Sequence, residues 1–242
     1  MTSKLNLELI ESAADGDLAE VRRLLAEGAE VGAEDNQALV MAAQEGHTAV
    51  VGYLYEHGAD ISARDFLAMR LAAEQGHLDV VGYLVEAGSQ VGARDNYAAG
   101  MAVQNGHLDV VVYLHSHGAD IHARGGAMAC VAAANGHLDV LRYLGSQGVD
   151  LAAEQSGALL AAASEGRLDI VHYLVERGVP VGARDNAALL AAVQEGHADI
   201  VGFLLDHGAD PAARNGEALR IARDHGHKNV VAMLRKRPGS IH

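Results

Sequence analysis

Glycine recurs every 30 residues along this chain, and that regularity restricts the fold more than any other feature. One series comprises Gly16, Gly46, Gly76, Gly106, Gly136, Gly166, Gly196 and Gly226. A second series keeps the same step and comprises Gly28, Gly58, Gly88, Gly118, Gly148, Gly178 and Gly208. Such a period is typical of solenoids, in which each repeat packs only against its neighbours. The spacing therefore predicts a stack of similar units without insertions.

Each repeat predicts two short helices. In the repeat of residues 65–94, residues 68–75 form a first helix that ends at Gly76. Residues 78–87 form a second helix ending at Gly88, with an apolar stripe of Leu78, Val81, Leu84 and Val85. Helices this short are marginal alone, so each must bury its apolar face against neighbouring repeats. The predicted fold class is all-α, with paired short antiparallel helices.

Composition limits the partners and the setting. The chain of 242 residues has 32 acidic and 18 basic residues, for a formal net charge of −14. A strongly negative surface repels phosphate, so nucleic acid and anionic membranes are disfavoured as partners. Cys130 is the single cysteine, which excludes an internal disulfide and fits a reducing compartment. With neither a signal peptide nor a long apolar run, we expect a cytoplasmic protein.

The residues within each repeat resemble those of the ankyrin repeat. The matching segments include Ala42-Ala43, Gly58-Ala59-Asp60-Ile61, Gly76-His77-Leu78-Asp79-Val80-Val81 and Tyr83-Leu84. The resemblance implies a solenoid of about eight units that binds proteins through a concave groove built from first helices and turn tips. This chain departs from the family in its period of 30 instead of 33 and in lacking the TPLH segment. The missing residues fall in the connecting hairpin, so we expect its β-strands to be short or absent.

The repeats divide the chain into one expected domain, residues 1–242. Residues 1–34 are expected to form an N-terminal capping repeat, residues 35–214 six internal repeats, and residues 215–242 a C-terminal capping repeat. We number these repeats one to eight.

The histidines of this chain could suggest a metal or catalytic site, but their positions favour structural roles. The slot after the first glycine holds His47, His77, His107, His137, His197 and His227, and the resemblance implies that this histidine bonds across the turn between helices. Arg167 fills the slot in repeat six, as if the bond were dispensable there. His115, His117 and His122 could bind zinc, but a fourth ligand is not evident, and solvent-facing turn residues are the favoured interpretation. We expect no metal and no cofactor.

Catalysis is not predicted either. Cys130 lacks a base and an oxyanion site, and no phosphate-binding loop or hydrolase motif occurs. We therefore do not expect an enzyme.

Positions that vary between repeats are the candidates for recognition. The slots that begin with Asn36, Gln37 and Val40 vary between repeats, and they place Phe66, Leu67 and Tyr97 in adjacent repeats, flanked by Arg70 and Arg94. Aromatic and arginine side chains are common anchors of protein interfaces. The alternative is that Phe66 and Leu67 pack beneath the shortened turn.

An arginine column completes the candidate site. It comprises Arg64, Arg94, Arg124, Arg184 and Arg214, three of which precede an aspartate (Asp65, Asp95 and Asp185). We expect local pairing with these aspartates, and Arg124, followed by Gly125, is the member expected to be free for a partner.

These observations favour a non-catalytic, monomeric protein-binding module that acts as an adaptor, scaffold or inhibitor. The alternative is a structural or self-associating array without a dedicated partner.

Overall fold

The structure is a computed structural model that describes residues 3–236. Within that range every regular element is helical and no strand occurs, so the expected loss of the hairpin strands is confirmed. The α-helices of the described residues are α1 Lys4–Ala14, α2 Leu18–Ala26, α3 Ala33–Gln44, α4 Thr48–Glu56, α5 Ala63–Gln75, α6 Leu78–Glu86, α7 Ala93–Asn105, α8 Leu108–Ser116, α9 Ala127–Asn135, α10 Leu138–Ser146, α11 Ala153–Ser164, α12 Leu168–Glu176, α13 Ala183–Glu195, α14 Ala198–Asp206, α15 Ala213–Asp224 and α16 Lys228–Arg235. Residues 237–242, the end of the expected C-terminal capping repeat, lie outside the described residues.

The described residues form two compact halves, 3–121 and 122–236. In the first half, the first helices α1, α3, α5 and α7 pack in order, and the second helices α2, α4, α6 and α8 form a parallel row. In the second half, α9, α11, α13 and α15 pack in order, and α12, α14 and α16 form the other row. Each half is therefore a stack of helix pairs, as the repeat pattern predicts.

The core of each half has an alanine layer and a leucine layer. Alanine pairs such as Ala42-Ala43 and Ala72-Ala73 are fully buried on the first helices, and Leu54, Leu84 and Leu114 are fully buried on the second helices. Alanine lets neighbouring first helices approach closely, while the leucines fill the space between the two rows. Burial of each leucine contributes roughly 1.5–3 kcal/mol.

The two glycine series serve different physical purposes. Gly46 and Gly58 both have left-handed backbones, with φ of 83° and 96°, which glycine adopts without steric penalty. A Cβ atom on Gly46 would lie 2.7 Å from Nδ1 of His77, whereas a Cβ on Gly58 would meet nothing within 4 Å. The first series therefore makes room for the histidine ring of the next repeat, while the second series supplies the left-handed residue that ends the second helix.

The first helix is preceded by a turn that the sequence did not predict. In α5, Arg64, Asp65 and Phe66 have φ of 52°, 58° and 58°, so three successive residues wind left-handed before the right-handed helix starts. The same turn occurs at residues 34–36, 94–96, 154–156, 184–186 and 214–216. A left-handed backbone costs roughly 1–2 kcal/mol per non-glycine residue. Other contacts must therefore hold this turn in place.

Candidate functional site

Asparagine stabilises the left-handed turn in three repeats, and Asn6 makes the equivalent bond in repeat one, where α1 has no such turn. The side-chain oxygen of Asn36 accepts a hydrogen bond of 2.8 Å from the backbone N–H of Asp60. The equivalent pairs are Asn6 with Glu30, Asn96 with Asp120 and Asn186 with Asp210. Asparagine also tolerates the left-handed region better than most residues. Where this slot holds asparagine it is structural, which corrects our interpretation of its variability as a sign of recognition.

Two repeats without the asparagine differ in an informative way. In repeat six, Pro180 occupies the position of the N–H donor and has no N–H to offer, and the buried Ser156 stands in the asparagine slot. In repeat three the slot holds Phe66, whose side chain cannot accept a hydrogen bond. Repeat six has therefore lost both the asparagine acceptor, at Ser156, and the N–H donor, at Pro180. Repeat three has lost only the acceptor, at Phe66.

The three apolar residues of the candidate site differ in exposure. Tyr97 is 44% exposed, while Phe66 and Leu67 are both half-buried. The structure therefore brings Phe66 and Leu67 partly under the turn, as the alternative interpretation expected, and leaves Tyr97 as the exposed member.

Arg70 lies directly against Tyr97. Its guanidinium carbon is 5.0 Å from the centre of the tyrosine ring, a cation–π contact worth about 0.5–1 kcal/mol at an exposed site. Nη1 of Arg70 donates to the carbonyl oxygens of Arg64 and Asp65, both at 3.4 Å. Its Nε is buried without a hydrogen-bond partner. Arg70 and Tyr97 thus form one unit that joins repeats three and four.

The arginine column binds backbone carbonyl groups of the preceding repeat. Arg64 donates from Nη2 to the carbonyl oxygen of Glu34 at 2.7 Å, and Arg214 donates to that of Arg184 at 3.1 Å. Arg184 in turn donates to the carbonyl oxygen of Glu154. Each bond joins residues 30 positions apart and reaches the start of a left-handed turn. The column therefore helps to hold these turns.

The ion pairs of this column differ from those we expected. Arg94 lies 3.6 Å from the carboxylate of Asp65, and Arg64 lies 3.8 Å from that of Asp35. Each arginine thus pairs with the aspartate of the preceding turn and not with the aspartate that follows it. Arg94 is more than half exposed, so this pair contributes at most about 1 kcal/mol. The side chain of Arg124 lies outside the described part of the chain, and its predicted role stays a prediction.

The histidine slot links successive repeats. The Nε2–H of His77 donates to the carbonyl oxygen of Gln44 at 2.9 Å, so the bond crosses from one repeat to the next and does not stay within one turn. His47, His107, His197 and His227 bind the carbonyl group 33 residues earlier in the same way. Arg167 donates from Nε to the carbonyl oxygen of Ala134 at 3.2 Å. Repeat six therefore keeps the bond through arginine, which corrects our expectation that the bond is lost there.

His117 is committed to its own helix end. Its ring stacks on Tyr113 with the ring centres 4.1 Å apart, and its Nδ1–H donates to the carbonyl oxygen of Tyr113 at 2.8 Å. His57 and His207 make the same two contacts in their repeats. Among the residues described, no group of three histidine, cysteine, aspartate or glutamate side chains could hold a metal ion.

Cys130 is half-buried on α9 against Gly157 of α11. A Cβ atom on Gly157 would lie 3.0 Å from its Sγ. Burial raises the pKa of the Cys130 thiol, and the negative charge of Glu154 raises it further. A thiol in this environment is mostly protonated at neutral pH and is a weak nucleophile.

We did not predict the packing role of an aromatic column on the second helices. It comprises Tyr53, Tyr83 and Tyr113 in the first half and Tyr143, Tyr173 and Phe203 in the second, all half-buried. Within each half, rings of this column lie against the residue 31 positions earlier: Arg22 covers Tyr53 at 5.1 Å, a Cβ on Gly52 would lie 3.4 Å from Tyr83, and Arg142 covers Tyr173 at 5.1 Å. The recurrence of aromatic residues at a step of 30 was the signal that could have revealed the column.

Comparison with known families agrees with this architecture. Three segments of the chain, residues 9–95, 99–186 and 159–241, match the family model described as ankyrin repeats in three copies. None of the curated proteins matches the chain. No helix in the range 3–236 is both long enough and apolar enough to cross a membrane. Ankyrin repeats are generally protein–protein interaction modules and are typically not enzymes. Because the matched segments cover nearly all of its length, the chain belongs to the ankyrin repeat family.

Proposed function

We propose that this chain is a non-catalytic module that binds a protein partner through its first helices and the turns before them, centred on repeats three and four. The observation that carries the proposal is the pair formed by Tyr97 and Arg70: an aromatic ring 44% exposed with a guanidinium stacked on it. Such pairs are typical anchors of protein interfaces. Phe66, Leu67 and Arg94 surround this centre, and Arg124 would extend it.

The net charge and the single thiol support three further parts of the proposal: a partner that is not nucleic acid, a non-catalytic role and a cytoplasmic setting. A net charge of −14 disfavours nucleic acid as the partner. The raised pKa of the Cys130 thiol supports a non-catalytic role, because it lowers the fraction of the single cysteine that is present as the reactive thiolate. A lone cysteine also supports a cytoplasmic setting. The module would act by steric occupancy, as an adaptor, scaffold or inhibitor.

The test compares two exposed apolar side chains of the same repeat. Tyr97 on α7 and Val112 on α8 are 44% and 38% exposed, so serine is tolerated at either site. Affinity capture from a cell lysate with the native chain, Tyr97→Ser and Val112→Ser should yield a protein that is lost only with Tyr97→Ser. Loss with Val112→Ser alone would place the binding face on the second helices. Phe66 and Leu67 are poor first targets because both are half-buried and their substitution would disturb the fold.

The self-associating array is tested separately by light scattering over a wide range of protein concentration. We expect the mass of a monomer throughout. A mass that grows with concentration would support the array and count against a dedicated partner.

A further inference from the structure

Gly100, in the middle of α7, makes no room for any side chain among the residues that the structure describes. Glycine inside a helix costs about 1 kcal/mol relative to alanine, so its presence calls for a reason. Among the other glycines inside described helices, Gly145 and Gly157 lie where a Cβ would be crowded by Tyr173 and Cys130, and Gly52, Gly82 and Gly202 have Tyr83, Tyr113 and Met233 at ordinary contact distance. A Cβ atom on Gly100 would meet no atom within 4 Å. Gly100 therefore opens space at the surface.

The open space lies beside Arg70 and Tyr97. Residues 30 positions apart are neighbours in the stack, as the bond from Arg64 to the carbonyl of Glu34 shows, so Arg70 of α5 flanks Gly100 of α7. Tyr97 lies three residues before Gly100 and shares its helix face. We call the space bounded by Arg70, Tyr97 and Gly100 the Gly100 notch.

Arg70 is the only arginine of its slot in the internal repeats, since the other arginine, Arg220, lies in the last repeat. The equivalent residues Val40 and Leu190 are apolar and only 2% and 7% exposed. Repeat three instead places a cation at this position, and repeat four removes the side chain next to it. The arginine at position 70 and the glycine at position 100 are neighbours in the stack. Because Gly100 has no side chain, one side of the Arg70 guanidinium is left uncovered.

Within residues 3–236, Arg70 is also a cation for which no carboxylate lies within ion-pair distance. Its polar partners are two backbone carbonyl groups at 3.4 Å, the outer limit of a hydrogen bond, and its Nε has none. Arg64 and Arg94, by contrast, each have an aspartate within 4 Å. The planar guanidinium matches a carboxylate in a bidentate geometry, and such bonds are about twice as strong as neutral ones. The buried Nε is out of reach of a partner, so the notch offers the terminal Nη groups of Arg70, held only by two long bonds, beside an aromatic ring.

We propose that the Gly100 notch receives one aspartate or glutamate side chain of the protein partner, whose carboxylate pairs with Arg70 while an adjacent apolar residue lies on Tyr97. This proposal rests on the function proposed above. A run of acidic residues is disfavoured because the chain itself carries a net charge of −14 and repels it. First-helix surface of α3 and α5 continues on one side of the notch, so we take the occupant to be a side chain within a segment that lies along these helices and not a chain terminus.

The test uses a library of random peptides displayed with their C-termini fused, selected on the native chain. The key variants are Gly100→Leu and Arg70→Leu. Leucine occupies the same slot at Leu160 and Leu190, so both variants should fold, and Gly100→Leu should raise the stability of α7. Loss of binding by Gly100→Leu could then not be attributed to unfolding. Circular dichroism and thermal unfolding of each variant provide the control.

We expect the selected peptides to share one acidic residue next to an aromatic or aliphatic residue. Changing that acid to its amide should weaken binding to the native chain at least tenfold, and Gly100→Leu should weaken it to a similar extent. The amide change should have no further effect on binding to Arg70→Leu, because the interaction has already been removed.

The other outcomes separate the two proposals. Peptides that are lost with Tyr97→Ser but ignore Gly100→Leu and the amide change would overturn the carboxylate assignment and leave the binding face intact. Selection of no peptide, or of peptides indifferent to Tyr97→Ser, would count against both proposals. If binding occurs only in a second library with free C-termini, the carboxylate belongs to a chain terminus and the assignment to a side chain is wrong.

Discussion

The histidine ring of one repeat rests on the glycine of the repeat before it, and this contact predicts unequal costs for two similar substitutions. Gly46→Ala and Gly58→Ala both place alanine on a left-handed backbone, with φ of 83° and 96°. At Gly46 the new Cβ would lie 2.7 Å from Nδ1 and 2.8 Å from Cε1 of His77. At Gly58 it would meet nothing within 4 Å. The second substitution is therefore a matched control for the first.

The difference in cost follows from what His77 must give up. The backbone penalty is roughly 1–2 kcal/mol at either glycine. At Gly46 the ring must also move, which breaks its 2.9 Å hydrogen bond to the carbonyl oxygen of Gln44, a loss of about 0.5–1.5 kcal/mol. We expect a total of about 1.5–3.5 kcal/mol for Gly46→Ala. In the His77→Ala background the clash is absent, so the cost of Gly46→Ala should fall to that of Gly58→Ala.

Urea unfolding followed by far-ultraviolet circular dichroism measures all four variants, with the m-values compared to confirm that the transitions remain alike. The double variant gives the coupling energy between residues 46 and 77, which we expect to be about 1 kcal/mol. Equal costs for Gly46→Ala and Gly58→Ala, or a coupling energy near zero, would refute the argument that the ring determines the choice of glycine.

Three further predictions concern single side chains. Ser89→Ala removes a buried hydroxyl without a hydrogen-bond partner, so it should raise the free energy of unfolding by roughly 1–3 kcal/mol. The equivalent Ala59→Ser should lower it. Urea unfolding of both variants measures these changes, and a loss of stability in Ser89→Ala would contradict the prediction. Asn36→Ala should lower the free energy of unfolding by about 1–2 kcal/mol. Ser156→Ala should lower it by less than half as much, because Pro180 stands in the place of the N–H donor. Equal losses of stability in thermal unfolding would contradict the role of Asn36 in holding its turn. Because the pKa of Cys130 is raised, its reaction with a thiol reagent should be slow at neutral pH and accelerate only above the usual thiol pKa of about 8.5; rapid reaction at neutral pH would contradict the burial.

The sequence predicted the helices and their partners well because both follow from periodicity. The apolar stripe of residues 78–85 and the glycines at 76 and 88 locate α6 to within one residue at its end. The right-handed part of α5 begins directly after Phe66, close to the predicted start at residue 68, but the left-handed turn before it was not predicted, because no propensity argument anticipates three non-glycine residues winding left-handed. That turn depends on contacts with residues 24 and 30 positions away, which a local pattern does not contain.

The candidate site was less predictable than the fold. Variation between repeats was taken as a sign of recognition, but variation also arises when a hydrogen-bond partner changes, as Ser156 and Pro180 show. Exposure was equally hard to infer: Phe66 and Tyr97 occupy adjacent slots in successive repeats, yet one is half-buried and the other exposed. Phe66 belongs to the left-handed turn, whereas Tyr97 follows the equivalent turn on α7. The sequence does not contain this difference in backbone conformation.

The contacts that replace the missing strands are all of short range along the stack. Asparagine reaches 24 residues, arginine 30 and histidine 33, so each bond joins a turn to its own repeat or to the next one. A departure in one repeat is therefore felt only by its neighbours. Two adjacent repeats depart from the repeat pattern at four positions, Phe66, Arg70, Ser89 and Gly100. Because the contacts are local, the neighbouring helices can still follow the pattern. If the proposed function is correct, a partner bound at repeats three and four contacts the region where these departures lie, so we expect its binding to stabilise these two repeats more than the others.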